Sequence, residues 1–222
     1  MTEPHFAVGD GYAVYRGPVT DSSFHRHAAF QIAIGDEVAM VDGSATRHQA
    51  AVLVVPPMVR HRMLAAADVL TYFVEPHCAF ADRLRKCCGT SICAAPDLRG
   101  PRAEDIGVHP SGVLDPRLVA APDTLADRGV PMPSLVAMVG LSPQRLRALA
   151  RQQVGMPLAR WRMWARLRRA AEALRAGESV AGAAVTAGFA DQAHLTRGMR
   201  DMMGLTPSAV LPVLRGHSRR AT

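Results

Sequence analysis

The sequence has no run of 18 or more apolar residues, whereas a helix that crosses a bilayer needs about 20. No membrane span is therefore expected. Its opening, MTEPHFAVGDGY, lacks both the basic and the apolar region of a secretory leader, so the expected compartment is the cytoplasm. Cysteine is scarce and confined: Cys78, Cys87, Cys88 and Cys93 fall in one short segment. No Cys-x-x-Cys pair occurs among them, so the zinc-finger spacing is absent. In a reducing compartment these four read as thiols or ligands in preference to structural disulfides.

Acidic residues are sparse in the second half. From residue 129 onward fourteen arginines face only Glu172, Glu178, Asp191 and Asp201, a balance of +10. Through Gly100, nine basic and ten acidic residues give −1. A neutral front and a basic back point to a polyanion as the partner of the back. Arginine suits that partner because its fork grips phosphate or guanine at two points.

What is present is a chain of 222 residues, half of them hydrophobic, enough for two small domains. From Gly11 to about Glu75, the runs YAVYRG, FQIAIG, EVAMVDG, AAVLVVPP and VLTYFVEP are short, rich in β-branched or aromatic residues, and bounded by Gly, Pro and Asp. Such runs read as strands, and many short strands predict a sandwich or small barrel. His25 and His27 stand two apart, so on a strand they share a face, and Gln31 joins them. His61 follows the turn VVPPMVRH. This set resembles the cupin barrel, whose first motif has two His and then Glu, and whose second ends in a third His. Here Gln31 replaces the Glu. His25, His27 and His61 are accordingly the candidate ligands of a divalent transition metal. The alternative is a pocket of hydrogen-bonded histidines. Cys78, Cys87, Cys88 and Cys93, with His77, form a second candidate set, for a soft metal or a thiol sensor. The plain alternative for them is small apolar packing.

Residues 94–115, rich in Pro, Gly, Asp and Arg, read as an interdomain connection. They divide the chain into domains at 1–93 and 116–222. A helix is expected from Pro116 toward Leu125. The stretch Ser179–Pro207 then reads as two short helices around a turn: Ser179 and Asp191 as caps, Gly188 and Gly204 as terminators, and Thr206-Pro207 opening another helix. Leu195, Met199 and Met202 form a buried stripe, with Ala193, His194, Arg197 and Arg200 opposite. That is the helix-turn-helix design. The segment VGLSPQRLRALARQQVGMP repeats it upstream, giving units at about 131–155 and 179–205. Between them LARWRMWARLRRAAEALRAG predicts one helix of about 18 residues, or about 27 Å. Two heads on such a rod suit adjacent major grooves, about 34 Å apart on one face of a duplex.

GFADQAHL followed by GLTP, with the upstream GLSPQRLRALARQQVG and the central RLRRA, resembles the DNA-binding domain of the AraC/XylS family of bacterial transcription regulators. The resemblance runs from about Val130 to Leu214. Met199 stands where that family usually has Phe, and Val210 where an aromatic is common. The resemblance implies an α+β chain of two domains: a cupin-like β-barrel for effector sensing or dimerisation, then an all-α tandem helix-turn-helix. It places base-edge contacts at Gln144, Arg145, Arg147 and Ala148, and at Gln192, Ala193, His194 and Arg197. Phosphate contacts go to Arg151 and Arg200. The implied partners are double-stranded DNA, RNA polymerase and a second copy of the chain. The function expected is a ligand- or metal-responsive transcription regulator and not an enzyme. A cupin metal enzyme fused to a DNA-binding tail and a non-sensing DNA-binding dimer stand as the alternatives.

Overall fold

The computed structural model describes residues 4–101, 105–106, 109–119 and 132–215. The expected helix from Pro116 toward Leu125 forms over Pro116–Val119; the rest of that expectation lies outside the described residues, as do Arg219 and Arg220.

The first half is one antiparallel sheet. Its strands are β1 (His5–Gly9), β2 (Tyr12–Val19), β3 (Phe30–Asp42), β4 (Arg47–Val55), β5 (His61–Met63), β6 (Ala66–Val74) and β7 (Cys93–Ala94). They run β1-β2-β6-β3-β4-β7, with β5 added to the far part of β3. The expected cupin barrel is thus corrected to an open sheet: among the described residues β1 and β7 remain separate edges. Two of the expected strands, FQIAIG and EVAMVDG, are one strand. Its register against β4 slips between Ile34 and Val38, so Gly35–Glu37 makes a bulge where a turn was expected.

The period of two along each strand gives the sheet two different faces. Phe30, Ile32, Tyr72 and Val74 point to one side, where helix α1 (Ala79–Cys88) covers them with Ala81, Leu84 and Cys88. Residues of opposite parity, among them Ala13, Gln31, Thr71 and Phe73, point to the other side and meet the helical half. The described residues of segment 94–115, expected to be a connection, dock on the sheet half. Ala94 pairs with Leu53, Leu98 and Ile106 are buried, and Ser111 Oγ donates to Asp82 Oδ1 at 2.7 Å.

The second half contains α2 (Pro116–Val119), α3 (Met132–Val139), α4 (Pro143–Leu149), α5 (Leu158–Arg175), α6 (Val180–Thr186), α7 (Gln192–Met203) and α8 (Pro207–Arg215). α5 has the 18 residues expected of the central rod. It buries Trp161, Trp164, Leu167 and Ala170 in a core shared with both short-helix units, Trp161 being fully inaccessible. Gly198 lets α7 approach α5 closely, since a Cβ there would stand 3.2 Å from Met163 Sδ. Ala28 and Ala29 of the sheet half belong to the same cluster, so the two halves share apolar packing.

Candidate functional site

The repeat inferred from sequence is a repeat of backbone conformation. Ser142 caps α4 by accepting from the Arg145 amide at 3.2 Å, and Asp191 caps α7 by accepting from the His194 amide at 2.6 Å. Gly140 and Gly188, which precede these caps, have φ of 63° and 82°. Gly155 and Gly204, which follow the helices, have φ of 78° and 68°. Only glycine enters this region without strain, so the four positions set the entry and exit of each second helix.

Each of those helices is buried on one side and open on the other. Leu146, Leu149 and Ala150 are buried on α4 and the π-turn that prolongs it (Ala150–Val154); Leu195, Met199 and Met202 are buried on α7. Gln144, Arg145, Arg147, Ala148 and Arg151 are exposed in the first unit, and Gln192, Ala193, Arg197 and Arg200 in the second. His194 is half-buried. Its ring stands edge-on to Phe189 at 5.2 Å, and its Nδ1 accepts from the Ala190 amide at 3.4 Å. It therefore braces the turn as well as facing outward.

A second site lies between the halves. A cavity of about 410 Å³ is walled on one side by β1, β2 and β6 and on the other by α5, α7 and α8. Phe6, Tyr15, Phe73, Leu167, Met199 and Val213 represent its apolar lining. Polar groups interrupt it. Thr71 Oγ1 and Trp164 Nε1 are buried without a hydrogen-bond partner among the described residues. Arg168 of α5 stands 3.2 Å from the Glu75 carboxylate, and His25 and Gln31 reach the wall from the sheet. Sequence reading missed this cavity. The available signal was Glu75, a carboxylate ending an apolar strand and needing a partner if buried.

His25, His27 and His61 do come together, all buried, with ring centroids 4.5 to 5.7 Å apart. His25 and His61 exchange backbone hydrogen bonds of 2.9 and 3.1 Å. Burial holds all three imidazoles below the usual histidine range, His27 at about 4. The cysteines do not form one set. Cys78 is buried apart, its thiol pushed up to about 12 mainly by burial, and His77 lies beside Glu75. The expectation of thiols is corrected at two positions: Cys88 and Cys93 are disulfide-bonded, with Cα atoms 5.5 Å apart. The turn leaving α1 folds straight back into β7 and brings them within bridging reach, which compartment arguments do not capture. Cys87 is free and exposed beside them.

Two capped, arginine-faced helices, each braced by the helix before it and joined by a buried rod, define a tandem helix-turn-helix DNA-binding protein with an added sheet domain. A family model described as a helix-turn-helix domain matches residues 135–211, within the segment whose sequence resembles the AraC/XylS DNA-binding domain. ToxT from Vibrio cholerae O395 shares the fold at 10% identity and a TM-score of 0.60, over 93% of this chain and 99% of that one. Unsaturated fatty acid-bound wild-type ToxT from strain SCE256 has 12% identity and a TM-score of 0.62, over 97% and 99%. A transcriptional regulator from Chromobacterium violaceum, described as AraC-type, covers 45% of this chain and 93% of its own at 21% identity, with a TM-score of 0.41. No curated protein sequence matches. Among the described residues, no helix is long and apolar enough to cross a membrane.

Proposed function

We propose that this chain is a sequence-specific AraC-family transcription regulator whose DNA-binding half answers to an apolar effector with one polar end. The observation that carries the reading is the cavity between the halves. Its volume suits a small organic ligand, and its walls come from both the sheet and the helix-turn-helix half. A ligand there touches α5 and α7 directly, so it favours whichever arrangement of the helices fits it best. Thr71 Oγ1, Trp164 Nε1 and Arg168 supply donors for the polar end. The fatty acid held by ToxT, on the same fold, is a ligand of this chemical kind.

On the DNA side, α4 and α7 present glutamine and arginine to base edges, each worth about 1–3 kcal/mol of discrimination. The expected footprint is one face of the duplex over two adjacent turns, weakening steeply with salt. The test is operator footprinting with and without a long-chain unsaturated fatty acid, alongside thermal unfolding, because a ligand that binds only the folded state raises the midpoint. Raised stability with an altered footprint supports the reading. An unchanged midpoint and footprint at saturating fatty acid would remove the effector role from this cavity.

A further inference from the structure

The hydrogen bonds of the histidine cluster fix where its protons are. Nδ1 of His25, His27 and His61 faces the backbone oxygens of Ser23, Ala29 and Val59 at 2.8, 2.8 and 3.0 Å. A carbonyl oxygen only accepts, so each Nδ1 donates and each neutral ring keeps its lone pair on Nε2. Those of His27 and His61 meet Gln31 Oε1, 2.9 Å from both. Three acceptors thus converge with no proton between them. Turning the Gln31 carboxamide over would offer its N–H groups to these two rings. It would also set Oε1 against Met63 Sδ, to which Nε2 now donates at 3.0 Å. His25 Nε2 would still have no hydrogen-bond donor among the described residues.

A cation satisfies all four at once. Imidazoles bound through Nε2 at about 2.1 Å have ring centroids about 3.2 Å from the ion, so pairs between right and tetrahedral angles stand roughly 4.5–5.2 Å apart. The two pairs that include His61 are 4.5 and 4.9 Å apart, inside this range, and His25–His27, at 5.7 Å, requires a wider angle. The bonds from Nδ1 to backbone oxygen are the outer contacts that orient metal-bound histidines.

The cluster also touches the DNA-reading half. Ser23 Oγ donates to the Gly204 carbonyl oxygen at 3.2 Å, and the Arg26 amide to that of Asp201 at 3.4 Å. The His25 ring packs on Gly204, where a Cβ would lie 2.8 Å from Nδ1. Asp201 is further held by Arg160 of α5. The loop carrying the first ligand is therefore the loop that clasps the C-terminal end of α7.

We propose that His25, His27, His61 and the Gln31 carboxamide oxygen bind one divalent transition ion, and that its binding stiffens the clasp of Ser23–Arg26 on Asp201–Gly204. Imidazole nitrogens with one amide oxygen suit Zn(II), Co(II) or Ni(II). The set is uncharged, which leaves an anionic donor to approach from the cavity, where His25 and Gln31 both reach the wall. The regulatory meaning of the clasp rests on α7 being a DNA-reading helix; the metal site itself does not.

The test uses the full chain freed of metal with a chelator and titrated with Zn(II) or Co(II) alone. One ion per chain is expected, and Co(II) should show visible ligand-field bands without thiolate charge transfer. His25→Ala should weaken binding about 100-fold or more. Gln31→Glu should tighten it by supplying a charge. Cys87→Ser should change nothing. Zn(II) should slow hydrogen exchange at the amides of Arg26 and residues 201–206 in the parent protein and not in His25→Ala. No stoichiometric binding, or binding that survives His25→Ala and is lost in Cys87→Ser, overturns the site. Binding at the histidines with unchanged exchange overturns the clasp. Neither readout contains DNA, so a chain that ignores every operator would count against the regulator reading and leave this one standing.

Discussion

Glu75, just beyond the end of β6, stands 3.2 Å from Arg168 in the middle of α5, a charge pair joining the sheet half to the central rod. Its alignment is that of an ion pair and not of a hydrogen bond, since Glu75 Oε1 has no hydrogen-bond partner among the described residues. Glu75 is buried, with His77 Nδ1 3.2 Å from its other oxygen, while Arg168 keeps some contact with water. Removing the cation therefore strands a buried carboxylate. Arg168→Met should lower unfolding free energy by about 3 kcal/mol. Adding Glu75→Gln should recover most of that loss, because the stranded charge is what costs. Chemical denaturation of the two single variants and the double closes the cycle; strictly additive losses would mean that the pair contributes nothing to joining the halves.

The two exposed arginines on α7 should behave differently on DNA. Arg197 shares the outer face with Gln192 and Ala193, whereas Arg200 lies one turn nearer the C-terminus. Arg197→Ala should relax the base requirement at one operator position at a cost of about 1–3 kcal/mol. Arg200→Ala should weaken all sequences alike and lower the salt slope by about one. Binding to a panel of operator variants at several salt concentrations decides it; a uniform loss for Arg197→Ala would assign that side chain to phosphate.

Acid should destabilise the metal-free protein in a defined window. Burial holds His27 at about 4 in the folded state, against 6.5 for the ordinary ring. Between these values the unfolded chain binds a proton that the folded chain refuses. Stability thus falls as pH drops from about 6.5 to about 4, and this group adds no further loss below that. His27 alone accounts for about 3 kcal/mol over the window, and His25 and His61, shifted the same way, steepen it. Urea midpoints of chelator-treated protein from pH 7 to pH 4 measure the slope. A flat profile would mean that the cluster is open to water.

The helical half was legible in the sequence because its signals are local. Caps at Ser142, Ser179 and Asp191 and turns at Gly140, Gly188 and Gly204 are each set by one or two neighbouring residues. The stripe Leu195, Met199 and Met202 depends only on helical spacing. In the sheet half the strands were legible and their closure was not. Whether β1 meets β7 depends on twist and on what covers each face, and no single run encodes that. The bulge at Gly35–Glu37 looked like a turn because Gly-Asp-Glu interrupts an apolar pattern in either case. The histidines could be grouped from their spacing, but the role of Gln31 needed distances. The cavity is a product of packing: Phe6, Tyr15 and Met199 are unremarkable in sequence and meet only when the halves dock.

The equivalent glycines that follow the second helix of each unit separate backbone strain from contact between the halves. Gly155 has φ of 78° and Gly204 of 68°, so alanine is strained at either, by about 1–2 kcal/mol. Around Gly155 a Cβ would meet no described residue within 4 Å, and Gly155→Ala should cost that strain and no more. At Gly204 the same atom would lie 2.8 Å from Ser23 O and His25 Nδ1. One of these partners is backbone and the other a ring packed among buried residues, so neither yields easily. Gly204→Ala should therefore cost clearly more than Gly155→Ala, and it should speed hydrogen exchange at the Arg26 amide, which donates to Asp201. Equal costs in denaturation, with exchange at Arg26 unchanged, would show that the loop and the end of α7 move independently.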